Sequence, residues 1–236
     1  MLLISCLILP LQGLSVRCLN RLVALDELRT LLARHARPDQ QTAIDGVLIS
    51  KVDRPYPPSP SMSGTVLALI AQGAKRIALG DRVYEYRAGQ YLIASVDLPI
   101  TGHFTEAAPE RPALGFGLTL RPATVAELLL QAAPGDLPPV GGGAPPGMAV
   151  STAPDELVDA VVRLLRLLDR PRDLTVLAPL LKREILWRVI TGEQGAAVRQ
   201  LGRPTATSVT WHGRSGGSAT TTRGRSGSRT WRNWPG

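Results

Sequence analysis

Between Val66 and Val96 the chain alternates short apolar runs with turn residues. Gly80-Asp81 parts one apolar run from Arg82-Val83-Tyr84-Glu85-Tyr86, and Ala88-Gly89 parts that from Tyr91–Val96. Runs of this length joined this tightly predict antiparallel β-strands. Thr42–Val52 predicts an earlier strand, and the proline-rich Arg54–Pro60 an extended connector on the surface. Asp97-Leu98-Pro99 reads as a turn, His103–Ala107 as a strand, and Ala113–Leu120 as an apolar strand. Gly115 and Gly117 flank Phe116 and leave one face of that strand bare, which permits a bend or a close backbone approach. Together these predict a small antiparallel barrel or sandwich.

The helical period surrounds that block. Leu19–Arg34 sets Leu22, Leu25, Leu28 and Leu32 on one face, leaving Arg21, Asp26, Glu27 and Arg29 for solvent, with His35 near the end of the helix. Pro122–Gln131 opens with proline and continues in helix formers. Ala133–Gly147 is a proline and glycine linker that carries neither pattern on. In Ser151–Asp169 a Ser or Thr cap, Pro154 and the acids Asp155 and Glu156 predict a helix start, with Leu157, Ala160, Val161, Leu164, Leu165 and Leu168 along one broad face. A second helix is predicted over about Leu177–Ile190, with Pro179 in its first turn and Thr191-Gly192 ending it. The pair forms an α-hairpin that must bury its apolar face on the barrel or on a copy of itself.

With 236 residues and 44% apolar content the chain has ample material for a core. Its net charge of +8 is unevenly placed: six arginines and no acid follow residue 202, so the preceding part carries only about +2. Cys6 and Cys18 both precede the predicted core, which argues against a disulfide framework and points to a reducing cytoplasm. Met1–Leu11 is apolar, yet too short to span a bilayer and without a preceding basic residue, so it reads as an upstream start or an apolar extension rather than a secretion signal or membrane anchor.

Two phrases carry a family resemblance. ALIAQGAKRIALGDRVYEYRAGQYLIASVDLP resembles the N-terminal effector-binding domain of AraC-type transcriptional regulators, and LAPLLKREILWRVITG resembles the helical region after it. The resemblance runs from about Leu19 to Leu201. It implies an α+β fold in which a cupin-like antiparallel β-barrel is followed by an α-helical dimerisation hairpin. The division expected is 1–18 as an unstructured extension, 19–132 as barrel with its N-terminal helix, 133–150 as linker, 151–201 as helical dimerisation region and 202–236 as a basic disordered tail. The family implies a small-molecule effector in the barrel, homodimers through the helices, and a C-terminal pair of helix-turn-helix units on DNA. Candidate dimerisation residues are Leu157, Val161, Leu164, Leu165, Leu168, Leu181 and Ile185.

The tail departs from that pattern. Gly202–Gly236 holds no Leu, Ile, Phe, Tyr, Asp or Glu but three of the four tryptophans, Trp211, Trp231 and Trp234, too little for a core. The expectation is a reading frame displaced near Leu201–Arg203, with the helix-turn-helix units lost from the printed sequence. The alternative is an arginine-rich nucleic-acid arm with stacking tryptophans. As printed, the chain is expected to dimerise and to lack specific DNA affinity.

For the cavity of such a barrel the candidate polar groups are Tyr84, Tyr86, Tyr91, Ser95 and His103, with Phe116 as wall. An enzymatic reading needs metal ligands, and of His35, His103 and His212 only His103 falls in the barrel. Neither cysteine does and no Ser-His-acid spacing stands out, so no nucleophile is expected; no cofactor is expected either. A standalone binding or dimerisation module is the alternative to a regulator, and a cupin-like enzyme is a third reading.

Overall fold

The computed structural model describes residues 16–133, 135–139 and 146–202, with side chains from Asn20 onward. The predicted extension up to residue 15, the middle of the linker and the tail beyond Gly202, with His212 and its three tryptophans, lie outside the described residues.

Among the described residues, nine strands form two antiparallel sheets. The larger has the order β1 (Val47–Val52), β8 (Ala113–Thr119), β3 (Val66–Gln72), β6 (Gln90–Ala94) and β9 (Met148–Thr152). The smaller runs β2 (Ser59–Met62), β7 (Pro99–Glu106), β4 (Ala74–Leu79), β5 (Arg82–Arg87). The predicted strand and turn series from Val66 to Val96 is present, with one further break. Gly73 carries the chain from β3 in one sheet to β4 in the other at φ +82°, and a Cβ there would lie 2.3 Å from the Glu106 carbonyl oxygen. Only glycine fits that crossing.

Among the described residues, five α-helices, α1 (Val16–His35), α2 (Pro122–Gln131), α3 (Asp155–Arg166), α4 (Pro171–Thr191) and α5 (Gly195–Leu201), accompany the sheets. Strict alternation in the larger sheet gives it two apolar faces. One carries Ile49, Leu67, Leu69, Tyr91, Ile93, Leu114, Phe116 and Leu118 into a core shared with all five helices. The other, with Ile70, Leu92, Ala94, Ala113 and Met148, faces Ile77, Tyr86, Ile100 and Phe104 of the smaller sheet. A sheet covered on both faces reads as continuous apolar strands, as QYLIA and ALGFGLT do.

Helix α3 lies at the centre of the first core, with Leu157, Val158, Ala160, Val161, Val162, Leu164 and Leu165 all buried. Its charged side chains tie it outward. Arg163 donates to both Glu184 oxygens at 2.9 and 2.6 Å, and Arg166 to both Glu27 oxygens at 2.6 and 2.8 Å. Arg21 donates to Asp155 and to the Ala153 and Gly89 carbonyls. Arg21 and Glu27, expected in solvent, thus fasten α1 to α3, while Leu22, expected inside, is 53% exposed.

Several boundaries differ from the sequence pattern for local reasons. Thr42 is no strand residue: its hydroxyl donates to the Ile44 and Val47 carbonyls and closes a turn before β1. The end of the proline-rich connector becomes β2, an edge strand where Pro60 needs no ladder donor toward solvent. β7 begins at Pro99, four residues before the predicted strand. Ser151 and Thr152 do not cap a helix; they belong to β9, which pairs with β6, and Pro154 takes the N-cap position of α3. Met148–Val150, in the segment read as linker, are in that same strand. α4 starts at Pro171, so Pro179 sits inside the helix rather than in its first turn. It is tolerated there because residues 176, 177, 179 and 180 face solvent, where water can take the carbonyl left without a donor. Among the described residues no helix is long and apolar enough to cross a membrane.

Candidate functional site

A cavity of about 400 Å³ lies between the two sheets. Its origin is the glycine alternation on β8. Leu114, Phe116 and Leu118 point into the helix-side core, so Gly115 and Gly117 occupy the inner face and contribute no side chain to it. A Cβ on Gly115 would stand 3.5 Å from Ile70 Cδ1 and 3.7 Å from Ser50 Cβ, an ordinary contact distance. The backbone would accept a side chain there, and its absence leaves the volume open. The exposed members of the lining are Pro38, Asp39, Gln41 and Met62, which places the mouth between the 38–41 loop and β2. β1 and β2 are each a sheet edge and are not hydrogen-bonded to one another, so the wall is open there.

The inner wall is apolar with a few polar groups. Ala68, Ile70 and Leu92 on one side meet Ile77, Ile100 and Phe104 on the other. Gln40 holds a positive φ of 58° and accepts from the Ser50 hydroxyl at 3.2 Å. Ser63 is committed to the Gly64 and Val96 carbonyls and the Leu98 amide. The Ser61 hydroxyl is buried and has no hydrogen-bond partner among the described residues. Leaving such a group unsatisfied costs about 1–3 kcal/mol.

Lys75 is the one positively charged side chain in the lining among the described residues. Alternation along β4 sets it there: Lys75 faces Phe104 and shares the inner face with Ile77, while a bulge at Thr105 of β7 leaves Ala74 opposite Glu106. Its Nζ sits 5.2 Å from the centre of the Phe104 ring, a cation–π distance. Tyr56 packs edge-on to the same ring with centroids 6.5 Å apart. Burial pushes the Lys75 ammonium down from its ordinary 10.5 to about 8. Burial, and secondarily the neighbouring Tyr56, raises the Tyr86 phenol well above its ordinary value, so Tyr86 is a neutral hydroxyl in this cavity.

The six side chains singled out by sequence divide sharply. Tyr86 lines the cavity. Phe116 borders it where the flanking glycines bare the strand, while its ring packs in the helix-side core. Tyr84 is half-buried on β5 against the inter-sheet core but outside the cavity lining. Tyr91 has the opposite parity to Leu92 and meets Ser151 and Gln194 on the helix side, where burial raises its phenol. Ser95 follows the last residue of β6 and donates to the Gly147 carbonyl at 3.3 Å. His103 is on the outer face of β7, opposite Arg76. Among the described residues no three His, Cys, Asp or Glu side chains gather as metal ligands. Lys75 and Ser61 were missed, although Lys75 is legible in AKRIAL once Ile77 and Leu79 are read as the inward face.

The predicted dimerisation residues are also placed. Leu157, Val161, Leu164, Leu165 and Ile185 are buried in the chain's own core, and Leu168 and Leu181 pack against it. The accessible apolar row is instead Val176, Leu177 and Leu180, at 67%, 39% and 59% exposure on the first half of α4.

Residues 43–197, spanning both sheets and helices α2 to α4, match the AraC-type transcriptional regulator N-terminus. The chain belongs to the AraC-type transcriptional regulators. Among solved structures, it is similar to an apo variant of ToxT from Vibrio cholerae, at 7% identity and TM-score 0.44 over 64% of this chain and 58% of that one. Wild-type ToxT with an unsaturated fatty acid bound, from the same organism, gives 9% and 0.39 over 66% and 59%. The AraC-like transcriptional activator CuxR gives 14% and 0.34 over 76% and 66%. This AraC-type chain therefore spans about three-fifths of the length of the ToxT structures and 66% of CuxR. No curated protein matches its sequence.

Proposed function

We propose that this chain is the effector-sensing part of a cytoplasmic transcriptional regulator that binds a small molecule between its two sheets. The observation that carries the reading is the cavity of about 400 Å³ opened by Gly115 and Gly117, within the size range of small-molecule sites and lined as they are, by apolar walls with a few polar groups. Family membership supplies the regulatory context. Two copies pair through the Val176, Leu177 and Leu180 row, because the apolar face of α3 is already buried within one chain. DNA is read by helix-turn-helix units that are not among the described residues, and without them the chain has no sequence-specific DNA affinity of its own.

A small-molecule library screened by thermal shift against the parent and Gly115→Leu tests the reading. Leucine at that position projects into the cavity without displacing the strand. Compounds that raise the melting temperature of the parent and not of the variant support the pocket. Equal shifts in both proteins would place binding elsewhere and overturn it.

A further inference from the structure

α5 is the last described element, and whatever chain follows Gly202 leaves the domain through it. It has 7 residues, fewer than a helix needs to persist unsupported, so its docking rather than its own propensity decides whether it forms. Its start is tied to β9, at the edge of the larger sheet. Gln194 takes the N-cap position, and its Nε2 donates to Ser151 Oγ at 2.5 Å. Ser151 is buried and lies opposite Tyr91 of β6 in the ladder; Tyr91, also buried, meets both Ser151 and Gln194. The other end of α5 is tied to α4 and to the connection that leads into β9. Arg199 is 6% exposed and donates to the Ile190 carbonyl at 2.9 Å and to the Pro138 carbonyl at 3.2 Å. Ile190 belongs to the last turn of α4, where the helix dipole favours a cation. Gly195 permits this fit, since a Cβ there would run into the Ile190 carbonyl.

The same two strands wall the cavity. Alternation along β6 puts Tyr91 on the helix side and Leu92 in the cavity, and along β9 it puts Ser151 on the helix side and Met148 in the cavity. We propose that α5 is the output element of the sensor: Gln194 is a positioning residue that couples it through Ser151 to β9, so that a change in what Met148 and Leu92 pack against alters the docking of α5. The inference rests on the reading of the cavity as the effector site and adds the route by which occupancy leaves it. A strand at a sheet edge is paired on one side only, so β9 responds to its cavity-side contacts without breaking a second ladder. The Ser151–Gln194 contact passes that response to the start of a helix too short to resist it, and docked and released α5 are the two states involved. Arg199 defines the docked state, because a buried guanidinium that leaves the Ile190 and Pro138 carbonyls loses its partners there.

Amide hydrogen exchange of the full chain, read at residues 198–201 against α3, tests the coupling without an effector. Met148→Ala alters the cavity face of β9, and the expected result is that exchange in α5 quickens about fivefold or more beyond any change in α3. Ser151→Ala and Gln194→Ala should each quicken α5 by a similar factor, and in either background Met148→Ala should add less than about twofold. An α5 that exchanges no faster relative to α3 in Met148→Ala, or effects of Met148→Ala and Gln194→Ala that multiply independently, would overturn the coupling and leave the pocket standing. Independent effects are what a Gln194 that merely caps its helix would give. Met148→Val, a smaller change, carries the same comparison if Met148→Ala does not fold. Failure of the pocket reading is seen separately, as ligand-induced thermal shifts that Gly115→Leu does not abolish.

Discussion

Replacing Lys75 by methionine should make the ligand-free protein more stable, the reverse of the usual result for a wall residue. A lysine ordinarily loses its proton near 10.5, and burial brings this one down to about 8. At about 1.4 kcal/mol per tenfold change in proton affinity, keeping it charged at neutral pH costs on the order of 3 kcal/mol. The Phe104 ring beside it returns about 1 kcal/mol. Methionine is close in shape and removes both effects, leaving a net gain of about 2 kcal/mol, or roughly 4–8 °C in melting temperature for a chain of this size. The sign also fixes a pH dependence. Between about 8 and 10.5 the unfolded chain holds a proton on this lysine that the folded chain has released, so the parent gains stability as pH rises through that window. Lys75→Met gains nothing there, and the two proteins should converge to within about 1 kcal/mol near pH 10. Tyr86 titrates with the opposite sign above its ordinary 10, but it is present in both proteins and cancels in the difference. Urea denaturation of parent and variant at pH 7 and pH 10 measures the gap. A variant less stable than the parent at pH 7, or a gap that does not narrow at pH 10, would refute the reasoning.

The remaining predictions concern the glycines, the helix contact and the dimer face. Gly115→Leu should keep the far-ultraviolet circular dichroism of the parent and melt no lower, since its Cβ meets only ordinary contacts. Gly73→Ala should cost more than about 2 kcal/mol in urea denaturation, because alanine would combine a left-handed backbone with a clash at the Glu106 carbonyl. The Arg163 guanidinium, donating to both oxygens of Glu184, holds that carboxyl below its ordinary 4.5. Glu184→Gln should therefore cost about 1 kcal/mol at neutral pH, and the cost should fade as pH falls below 4.5 and the native carboxyl is itself protonated, which denaturation at neutral and acid pH will read. In light scattering, Leu180→Glu should turn a dimer into a monomer of unchanged melting temperature; a dimer that persists would exclude the α4 row as the contact.

Much of the fold was legible because local and tertiary preferences agree. The turns at Gly80-Asp81 and Ala88-Gly89 and the helix at Pro122–Gln131 stand where the sequence puts them. What escaped depends on partners far along the chain. β9 is a strand because β6 offers it an edge, and its own residues carry cap-like chemistry that points to a helix start. The apolar face of α3 left the barrel and a second copy both open as partners, because its pattern alone does not say that the back of the barrel sheet lies beside it. The site was harder for the same reason of parity. Tyr91 and His103 have the chemistry of ligand contacts but point away from the cavity, while Lys75 shares the inward parity of Ile77, where its residue type argues for solvent. The glycines of β8 were the visible clue, and their effect is to create the space rather than to touch what fills it.

The central claim is that the space between the sheets is the ligand site. Methyl-resolved NMR of the chain with labelled isoleucine, leucine and valine, titrated with decanoate, tests it most directly. The account predicts saturable shifts at Ile77, Leu92 and Ile100 with none at Val161 or Leu164 in the helix-side core. Shifts confined to Val176, Leu177 and Leu180, or equal across both cores, would contradict it.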